Sequence, residues 1–516
     1  MGCHRSADDP QTLVLLIEAR LARLDPRFAG SSWENKVAQL IAPGLTTIDN
    51  PQAETRPALA SSVEQEDPVT YLAALRPDAR FPDGAPVTAD DVAYTFESVQ
   101  APELGSRFSQ TWAEILARVE VVDPSHVRFH LRAPRAPFLT DLTFGIVEAS
   151  VARPLDEAVR AAARAHQRAP AFDPLHEVVG AGPYRIAART GERLDLEANP
   201  HASTPPRTPR LSIRTVPDEN ARFLALLGGS GDLIQNGVVP LVAETFESNA
   251  RVRVDYQPSA MTTYLGFNTG HGATADPRVR RALALAIDRA GIVQAKLRGH
   301  ASLARSFLPP SNAYLPGDLP TVPFDPEAAR RLLDEAGYRD PDGDGPLPRL
   351  TLTFKTSNQR FRVSLAHVLA QSLATVGVAV EVRPYEWGTF LDDVKKGNFD
   401  LFSLQATDLV EPDMLRAFFH SARIPRASVQ WNGNNRVRYQ DAEVDAWLDE
   451  GTRTSDRARR FALYRLVQLR LARDLPVLPL WHEDNVILAR QALQGFQPRP
   501  QASLGGLLGA FKRPVR

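Results

Sequence analysis

The sequence predicts a soluble α/β protein with two or three domains, and three observations lead to this prediction. The chain has 516 residues, while domains usually contain roughly 100–200. Hydrophobic residues make up 43% and charged residues 23%, which is typical of a globular protein with a sizeable core. Strand patterns alternate with helix patterns throughout residues 262–490, which favours an α/β domain there.

The N-terminal part is predicted to mix strands and helices. "TLVLLI" (Thr12–Ile17) is a short apolar run that fits a buried strand. "SSWENKVAQLIAPGL" predicts a helix with Ser31 or Ser32 as its N-cap and Gly44 after its end. From Arg56 to Phe81, alternating apolar and polar residues with turn prolines predict short strands.

The stretch "FPDGAPVTADDVAYTFESV" (Phe81–Val99) combines a turn with a capped helix. Pro82–Gly84 predicts a tight turn, because proline presets φ and glycine accepts a positive φ. Thr88 and Asp91 have the spacing of a capping box, and apolar residues follow at helical intervals. Each part has a structural role, so the stretch by itself indicates no chemistry.

The C-terminal half contains the strongest helix patterns. "DPRVRRALALAIDRAGIV" (Asp276–Val293) predicts one helix with Pro277 in its first turn. "FDPEAARRLLDEAGY" (Phe324–Tyr338) predicts another, ended by Gly337. Strands are predicted in "TTYLGFNTG", "RLTLTFKT", "GNFDLFSLQA" and "PVLPLWHEDNVILA".

Composition and motifs argue against several functions. The 60 basic and 61 acidic residues leave a net charge of −1, which gives no electrostatic reason to expect nucleic acid. No apolar run reaches the roughly 18 residues of a membrane-spanning helix. With Cys3 as the single cysteine, no intrachain disulfide can form. The sequence lacks G-x-S-x-G, H-E-x-x-H, C-x-x-C and phosphate-loop motifs.

Two patterns that suggest metal ligands are better explained otherwise. His126 and His130 fall on a predicted strand, where such positions lie about 13 Å apart. Asp340–Gly345 matches the first half of a calcium loop, but Thr351 stands where the bidentate acid is needed. We therefore expect no metal and no cofactor, and a binding role rather than catalysis.

Five motifs together resemble the extracellular solute-binding proteins of ABC importers, in the dipeptide/oligopeptide/nickel-binding family (family 5). "FPDGAPVTADDVAYTFESV" is similar to that family's F-x-DG-x-P-x-TA-x-DV-x-Y signature, and "GAGPYRI" to its GTGPY. "YLGFNTG…DPRVRRALALAIDRAGIV", "FDPEAARRLLDEAGY" and "LYRLVQLRLARDLPVLPLW" resemble later family motifs, in family order. The resemblance runs from about Leu24 to Ala489, nearly the whole chain.

The resemblance implies a two-lobe periplasmic-binding-protein fold (type II, cluster C) with an extra subdomain inserted in lobe I. It implies capture of a peptide by hinge closure and delivery to the membrane permease, without catalysis, by a monomer. The segments are predicted as 12–50 for the start of lobe I, 51–179 for the insertion and 180–262 for the second part of lobe I. Lobe II is predicted at 263–478, and the return to lobe I with the C-terminal tail at 479–516.

One site residue is carried over from a family stretch, W-x-x-D-x-x-DPD, whose aspartate clamps a peptide amine. Here "QATDLVEPDM" places Asp408 at that aspartate and Glu411–Asp413 at DPD. Gln405 stands where the tryptophan usually is, which is a departure from the family stretch. The alternative is that Asp408 only caps a turn.

Further ligand-binding candidates follow from what a peptide site needs. Arg360 and Arg362 precede a predicted helix and could bind a carboxylate. Trp387 and Trp431 are predicted in loops, where an exposed indole is costly unless it meets a ligand or a lobe. The remaining candidates are Tyr264 and Asn268, at the strand near the lobe junction, and Trp33, at the start of an early helix. For each of them, packing is the alternative role.

"MGCHRS" raises the question of a lipid anchor. Gly2 and Cys3 match the end of a bacterial lipobox, and the family resemblance makes lipidation of Cys3 and a periplasmic or cell-envelope location an expectation. The alternative is a terminal thiol without a role. Other solutes remain open, namely a nickel chelate, an oligosaccharide or an opine-like compound, as do a hydrolase and a sensor module.

Overall fold

A computed structural model describes residues 9–165, 178–343, 345–429 and 431–513. The chain divides into two compact units. The first unit contains the residues up to Val238, Val242–Gln257 and the chain from Asn485 onward; the second contains Val239–Leu241 and Pro258–Asp484. Among the described residues, no helix has both the length and the apolar character needed to cross a bilayer.

The first unit holds most of the strands. They are β1 (Thr12–Ile17), β2 (Thr46–Thr47), β3 (Arg56–Pro57), β4 (Ala60–Asp67), β5 (Thr70–Leu75), β6 (Leu116–Asp123), β7 (His126–Leu131), β8 (Tyr184–Thr190), β9 (Arg193–Ala198), β10 (Arg210–Thr215), β11 (Leu233–Gln235) and β12 (Val252–Pro258). The main sheet has the order β8-β9-β10-β1-β11. β1 pairs in parallel with both β10 and β11, so these three strands end at the same edge.

Helices cover the sheets of this unit. They are α1 (Ser32–Ile41), α2 (Ala89–Gln100), α3 (Ser109–Ile115), α4 (Phe138–Asp141), α5 (Ala149–Arg164), α6 (Glu219–Leu227) and α7 (Pro240–Ala243), the last at the boundary between the units. The prediction of a strand at Thr12–Ile17 and of Ser31 as N-cap is confirmed. Ser31 forms a capping box with Glu34.

A separate antiparallel sheet in the first unit, of order β4-β5-β7-β6, has its own hydrophobic core. α2 covers this sheet with Phe96, which meets Trp112 and Phe129 edge to face. The predicted capping box is confirmed, with Asp91 Oδ2 accepting a hydrogen bond from the Thr88 amide at 2.8 Å. The stretch therefore packs on this small sheet, and the turn and capped helix that its sequence predicted are confirmed.

The second unit is built on a mixed sheet. Its strands are β13 (Thr262–Phe267), β14 (Ala301–Leu303), β15 (Leu350–Ser357), β16 (Val378–Tyr385), β17 (Leu401–Ala406) and β18 (Val477–Arg490). The order is β16-β15-β17-β13-β18, with β14 on β18. β15 is parallel to both β16 and β17, and β13 runs antiparallel to β17.

The helices of the second unit are α8 (Pro277–Leu285), α9 (Arg289–Leu297), α10 (Pro326–Glu335), α11 (Arg360–Ala374), α12 (Trp387–Lys396), α13 (Met414–Phe419), α14 (Ala442–Arg453) and α15 (Arg457–Asp474). The prediction of a single helix over Asp276–Val293 is wrong, because the first helix ends at Leu285 and a second one begins at Arg289. Asp288 caps a second helix, accepting from the Gly291 amide at 2.9 Å. Aspartate is a preferred N-cap residue, so Asp288 in "AIDRAG" was the sequence signal for this second helix.

β18 changes unit along its length. Its first half pairs with β13 inside the second unit, and its last residues pair with β11 inside the first. The chain then ends in the first unit with β19 (Leu493–Gln494) and β20 (Phe511–Lys512). β18 is therefore one of the places where the backbone passes between the units.

Candidate functional site

Three neighbouring parallel strands of the second unit carry candidate side chains just after their carboxyl ends. Arg360 and Arg362 follow β15, Trp387 follows β16, and Asp408 follows β17. We call this side of the sheet, defined by these four residues, the carboxyl edge. Ligands of α/β sheets characteristically bind outside the carboxyl ends of the strands. The fold thus brings together four of the eight predicted binding residues.

Asp408 is held in an unusual backbone conformation. Its φ is +59°, a left-handed value that non-glycine residues adopt rarely and aspartate more readily than most. The side chain is half-buried, and its Oδ2 accepts a hydrogen bond from the Thr407 hydroxyl at 3.0 Å. The carboxylate is therefore fixed at the end of β17 while part of it stays exposed.

The two acids that follow Asp408 have structural partners. Glu411 forms an ion pair with buried Arg460, and Asp413 accepts from the hydroxyls of Thr452 and Tyr464, the latter at 3.3 Å. Glu411 and Asp413, which match the family's DPD, thus attach the chain after β17 to α14 and α15.

Arg362 has bonding capacity that the protein does not use. Its Nη1 is buried and meets no hydrogen-bond partner in the part of the chain that the structure describes. Arg360, two residues earlier at the start of α11, is exposed. A guanidinium with an unpaired N–H suits an anionic ligand group, since buried donors are normally satisfied.

Trp387 begins a helix and does not lie in a loop, which corrects the sequence prediction. Glu386 caps α12 by accepting from the Gly388 amide at 2.6 Å. The indole is nevertheless 52% exposed, which is high for a large aromatic group. The expectation of an exposed tryptophan is confirmed, although the loop is not.

Glu483, on the first half of β18, is a residue that the sequence prediction missed. Its carboxylate accepts from the Thr263 hydroxyl at 2.6 Å, the Trp481 indole at 3.0 Å and the Gln405 amide at 2.5 Å. Thr263 lies opposite both Gln405 and Trp481 in the β13 pairings. Gln405, which replaces the usual tryptophan, therefore anchors a half-buried acid near the end of β17.

His482 lies beside Glu483 and is buried. Its Nδ1 is 2.8 Å from the Thr262 hydroxyl. Burial lowers its pKa to about 4, because a charged imidazole loses its hydration there. His482 and Glu483 are consecutive on β18, so their side chains point to opposite faces of the sheet, and the imidazole stays neutral at ordinary pH. The signal for this site was the charged "HED" inside an otherwise apolar strand.

Three other predicted residues lie elsewhere. Tyr264 is only 3% exposed and packs on Phe307 and Phe402. Asn268 is fully buried after the end of β13, where its amide donates to the carbonyls of Gly397 and Phe399 at 3.0 Å each. Because β13 is antiparallel to β17, Asn268 lies at the opposite side of the sheet, where β15, β16 and β17 begin, which we call the amino edge. Trp431 lines a pocket at this edge.

Trp33 belongs to a second polar group, in the first unit. Its indole donates to Glu18 Oε1 at 2.9 Å, and Glu18 directly follows β1. Gln235 ends β11, and Arg222 in α6 donates to the Gly237 carbonyl at 2.7 Å. This group therefore sits at the carboxyl ends of parallel strands, as the carboxyl edge does in the second unit.

The first-unit group has several unused hydrogen-bonding atoms. Glu18 Oε2, Arg222 Nε and both side-chain amide atoms of Gln235 are buried with no partner among the described residues. Gln235 is 1% exposed. Such groups are uncommon in proteins and each needs an explanation. Sequence reasoning found Trp33 but not the other three, which are far apart along the chain.

Comparison with known proteins gives the family. The model of the bacterial extracellular solute-binding proteins, family 5 (middle), matches residues 54–424. A relative, the probable di/tripeptide-binding protein 5 of Pseudomonas aeruginosa (strain UCBPP-PA14), is 29% identical over 490 residues, which is 90% of this chain and 89% of the relative. The chain belongs to this family of solute-binding proteins.

Solved structures share the fold of this chain. The oligopeptide-binding protein AppA from Bacillus subtilis, solved in complex with a nonapeptide, has a TM-score of 0.82 at 23% identity, over 97% of this chain and 99% of that one. NikZ from Campylobacter jejuni, solved with Ni(L-His), has a TM-score of 0.81 at 26% identity, over 98% and 100%. The predicted two-lobe α/β fold with its inserted subdomain is confirmed. The protein is the solute-binding component of an ABC importer.

Proposed function

We propose that the protein captures short peptides by hinge closure and delivers them to the importer's membrane permease, breaking no bond itself. The observation that carries the proposal is the carboxyl edge, where an acid, a guanidinium and an exposed indole follow three adjacent parallel strands. A free peptide offers an ammonium group, a carboxylate and side chains, which these groups complement.

Separate residues of the protein bind the two charged ends of the peptide. Asp408, fixed by Thr407 and partly exposed, accepts the peptide ammonium. Arg362 donates its unused Nη1 to the carboxylate of the peptide, with exposed Arg360 nearby in sequence. Trp387 covers an apolar peptide side chain. Tyr264 supports β13 through packing, and Asn268 holds the loop before β17 at the amino edge through hydrogen bonds.

The first-unit group contributes polar contacts to the same function. Gln235 can donate to and accept from a peptide amide at once, which is the pairing that a ligand backbone offers. Trp33 orients Glu18 through the indole hydrogen bond. The relatives whose names state a peptide ligand support this choice of solute.

The cellular location of the protein and the boundaries of its segments are part of the same proposal. We place the protein on the outer side of the cytoplasmic membrane, as a monomer with its permease as partner, anchored by a lipid on Cys3, which lies outside the described residues. We also retain the five predicted segments with their boundaries at residues 50, 179, 262 and 478. Replacement of Cys3 by serine should release the protein from the membrane fraction; equal membrane retention of both forms would remove the anchor.

The peptide proposal is tested by calorimetric titration with an unblocked tripeptide and with its N-acetylated form. A buried charged pair that loses one member typically costs several kcal/mol, so Asp408→Asn should weaken unblocked-tripeptide binding on the order of 100-fold. The acetylated peptide should bind weakly to both forms. Asp392→Asn, a change of an exposed acid paired with Lys396, is the matched control and should leave affinity unchanged.

Two results would count against this assignment. Equal affinity of the Asp408 variant and the natural protein removes the amine clamp. Thermal stabilisation by Ni(L-His) but by no peptide in a panel of two to nine residues would transfer the function to a metal chelate, since a ligand raises stability only when it binds the folded protein.

A further inference from the structure

The amino edge of the second unit contains a pocket of about 610 Å³. It is separated from the carboxyl edge by the length of β17, whose five residue steps span about 16 Å. The pocket is therefore distinct from the proposed peptide site. Its lining includes His271, Lys396, Arg426, Trp431 and Arg438.

The described lining is cationic, with no acidic residue in it. Lys396 is balanced from outside the pocket by Asp392, at 2.6 Å. Arg426 is exposed, and its side chain makes no hydrogen bond or ion pair with a described residue. At least two guanidinium groups thus face one cavity without a carboxylate on its walls.

Arg438 is positioned by the backbone. Its Nη2 donates to the Lys395 carbonyl at 3.2 Å, which fixes the guanidinium without neutralising its charge. It approaches Gly397 so closely that a Cβ there would lie 2.2 Å from Arg438 Nε. Burial and the nearby Arg426 both lower the pKa of Arg438, as expected where like charges lack an anion between them.

We infer that this pocket binds a phosphate group, carried by a small ester or by a phospholipid headgroup. Arginine guanidinium groups match phosphate oxygens in paired hydrogen bonds. The two guanidinium groups together exceed the single charge of one carboxylate. The volume also exceeds that of a free ion, and Trp431 and Ile424 offer apolar walls to the organic part of an ester.

The test is calorimetric titration of the full protein with glycerol 3-phosphate, with glycerol as the neutral counterpart. Arg426→Gln changes an exposed side chain, so folding is preserved. Its matched control is Arg457→Gln, an exposed arginine at the start of α15, away from the pocket lining. The natural protein and the Arg457 variant should bind glycerol 3-phosphate, and the Arg426 variant at least ten-fold more weakly.

A second arm uses vesicles of phosphatidylglycerol, with phosphatidylcholine vesicles as comparison. Vesicle binding that Arg426→Gln abolishes assigns the phosphate to a lipid, and binding of glycerol 3-phosphate alone assigns it to a free ester. If the protein binds neither glycerol 3-phosphate nor phosphatidylglycerol vesicles, the inference is overturned. Equal loss of binding in the Arg426 and Arg457 variants also overturns it. Tripeptide affinity, measured on the same samples, should not change, which separates this result from the peptide proposal.

Discussion

Each unit carries a polar group built around an acid, but the Glu18–Gln235 group of the first unit and the Glu483 network of the second differ in how fully they are bonded. In the second unit, Glu483 accepts from three side chains, so its hydrogen bonds are supplied by the protein. In the first unit, Glu18 and Gln235 retain buried atoms without a described partner. The first-unit group gains bonds when a ligand arrives, whereas the Glu483 network of the second unit is already bonded; at the carboxyl edge of the second unit, Arg362 keeps a donor without a described partner.

This difference separates stability from binding. Fully bonded buried networks contribute to folding, while unpaired buried groups cost free energy that a complementary ligand can recover. Substitutions in the second unit's Glu483 network should therefore act mainly on the free energy of unfolding. Substitutions in the first unit's group should act mainly on ligand affinity.

The largest expected effect is the pH dependence of stability that comes from His482, which burial in the second unit keeps neutral. Its pKa is about 4 in the folded protein against 6.5 in a free side chain. As pH falls, the unfolded chain takes up the proton first, so stability is present above pH 6.5 and is lost toward pH 4. Over this pH range the free energy of unfolding falls by about 3 kcal/mol.

Hydrogen exchange measured between pH 7 and pH 4.5 reports this loss separately for each unit. Protection should fall first in β13 and β18 of the second unit. His482→Gln should flatten the acid limb, and the exposed His367→Gln is the control that should not. A steep acid limb in the His482 variant would assign the loss to other groups.

The next effect compares the two acids directly. Glu483→Ala leaves three donors without their acceptor and should lower the free energy of unfolding by about 2 kcal/mol. Glu18→Ala removes a single described hydrogen bond, from Trp33, and should cost less than about 1 kcal/mol. Urea unfolding measures both. Equal costs would mean that the two groups are bonded alike.

A smaller effect compares two buried glutamines. Gln468 is fully bonded, to Ser306 and to the carbonyls of Tyr314 and Tyr464, whereas both amide atoms of Gln235 lack a described partner. Gln468→Met should cost about 2 kcal/mol of stability, and Gln235→Met less than about 1 kcal/mol. Gln235→Met should instead weaken tripeptide binding about ten-fold. Loss of stability without loss of affinity at Gln235 would contradict its assignment to the ligand.

The sequence predicted the fold better than the site. Period and capping signals are local, so β1, α2 and the helix ended by Gly337 were visible in the residues themselves. The break between α8 and α9 was missed because apolar spacing continues through it and only Asp288 marks the new start.

The site depends on which strands become neighbours, and local patterns do not contain that information. Asp408 was found by family resemblance, and the arginines by the chemistry that a carboxylate needs. Tyr264 and Asn268 lie on or beside β13, which is buried on both faces; the absence of any charged residue from TTYLGF was the available sign of this. The parallel pairing of β1 and β11 places Glu18 and Gln235 at the same edge of the sheet, and Arg222 reaches the loop after β11 from α6.

The most direct test of the whole account is native mass spectrometry of the purified protein with an unblocked tripeptide, followed by release and analysis of that peptide. The account predicts a one-to-one complex that is lost in Asp408→Asn, and recovery of the peptide at its original mass. A complex that forms equally in the variant would contradict the binding assignment, and a cleaved peptide would contradict the claim that this chain only binds.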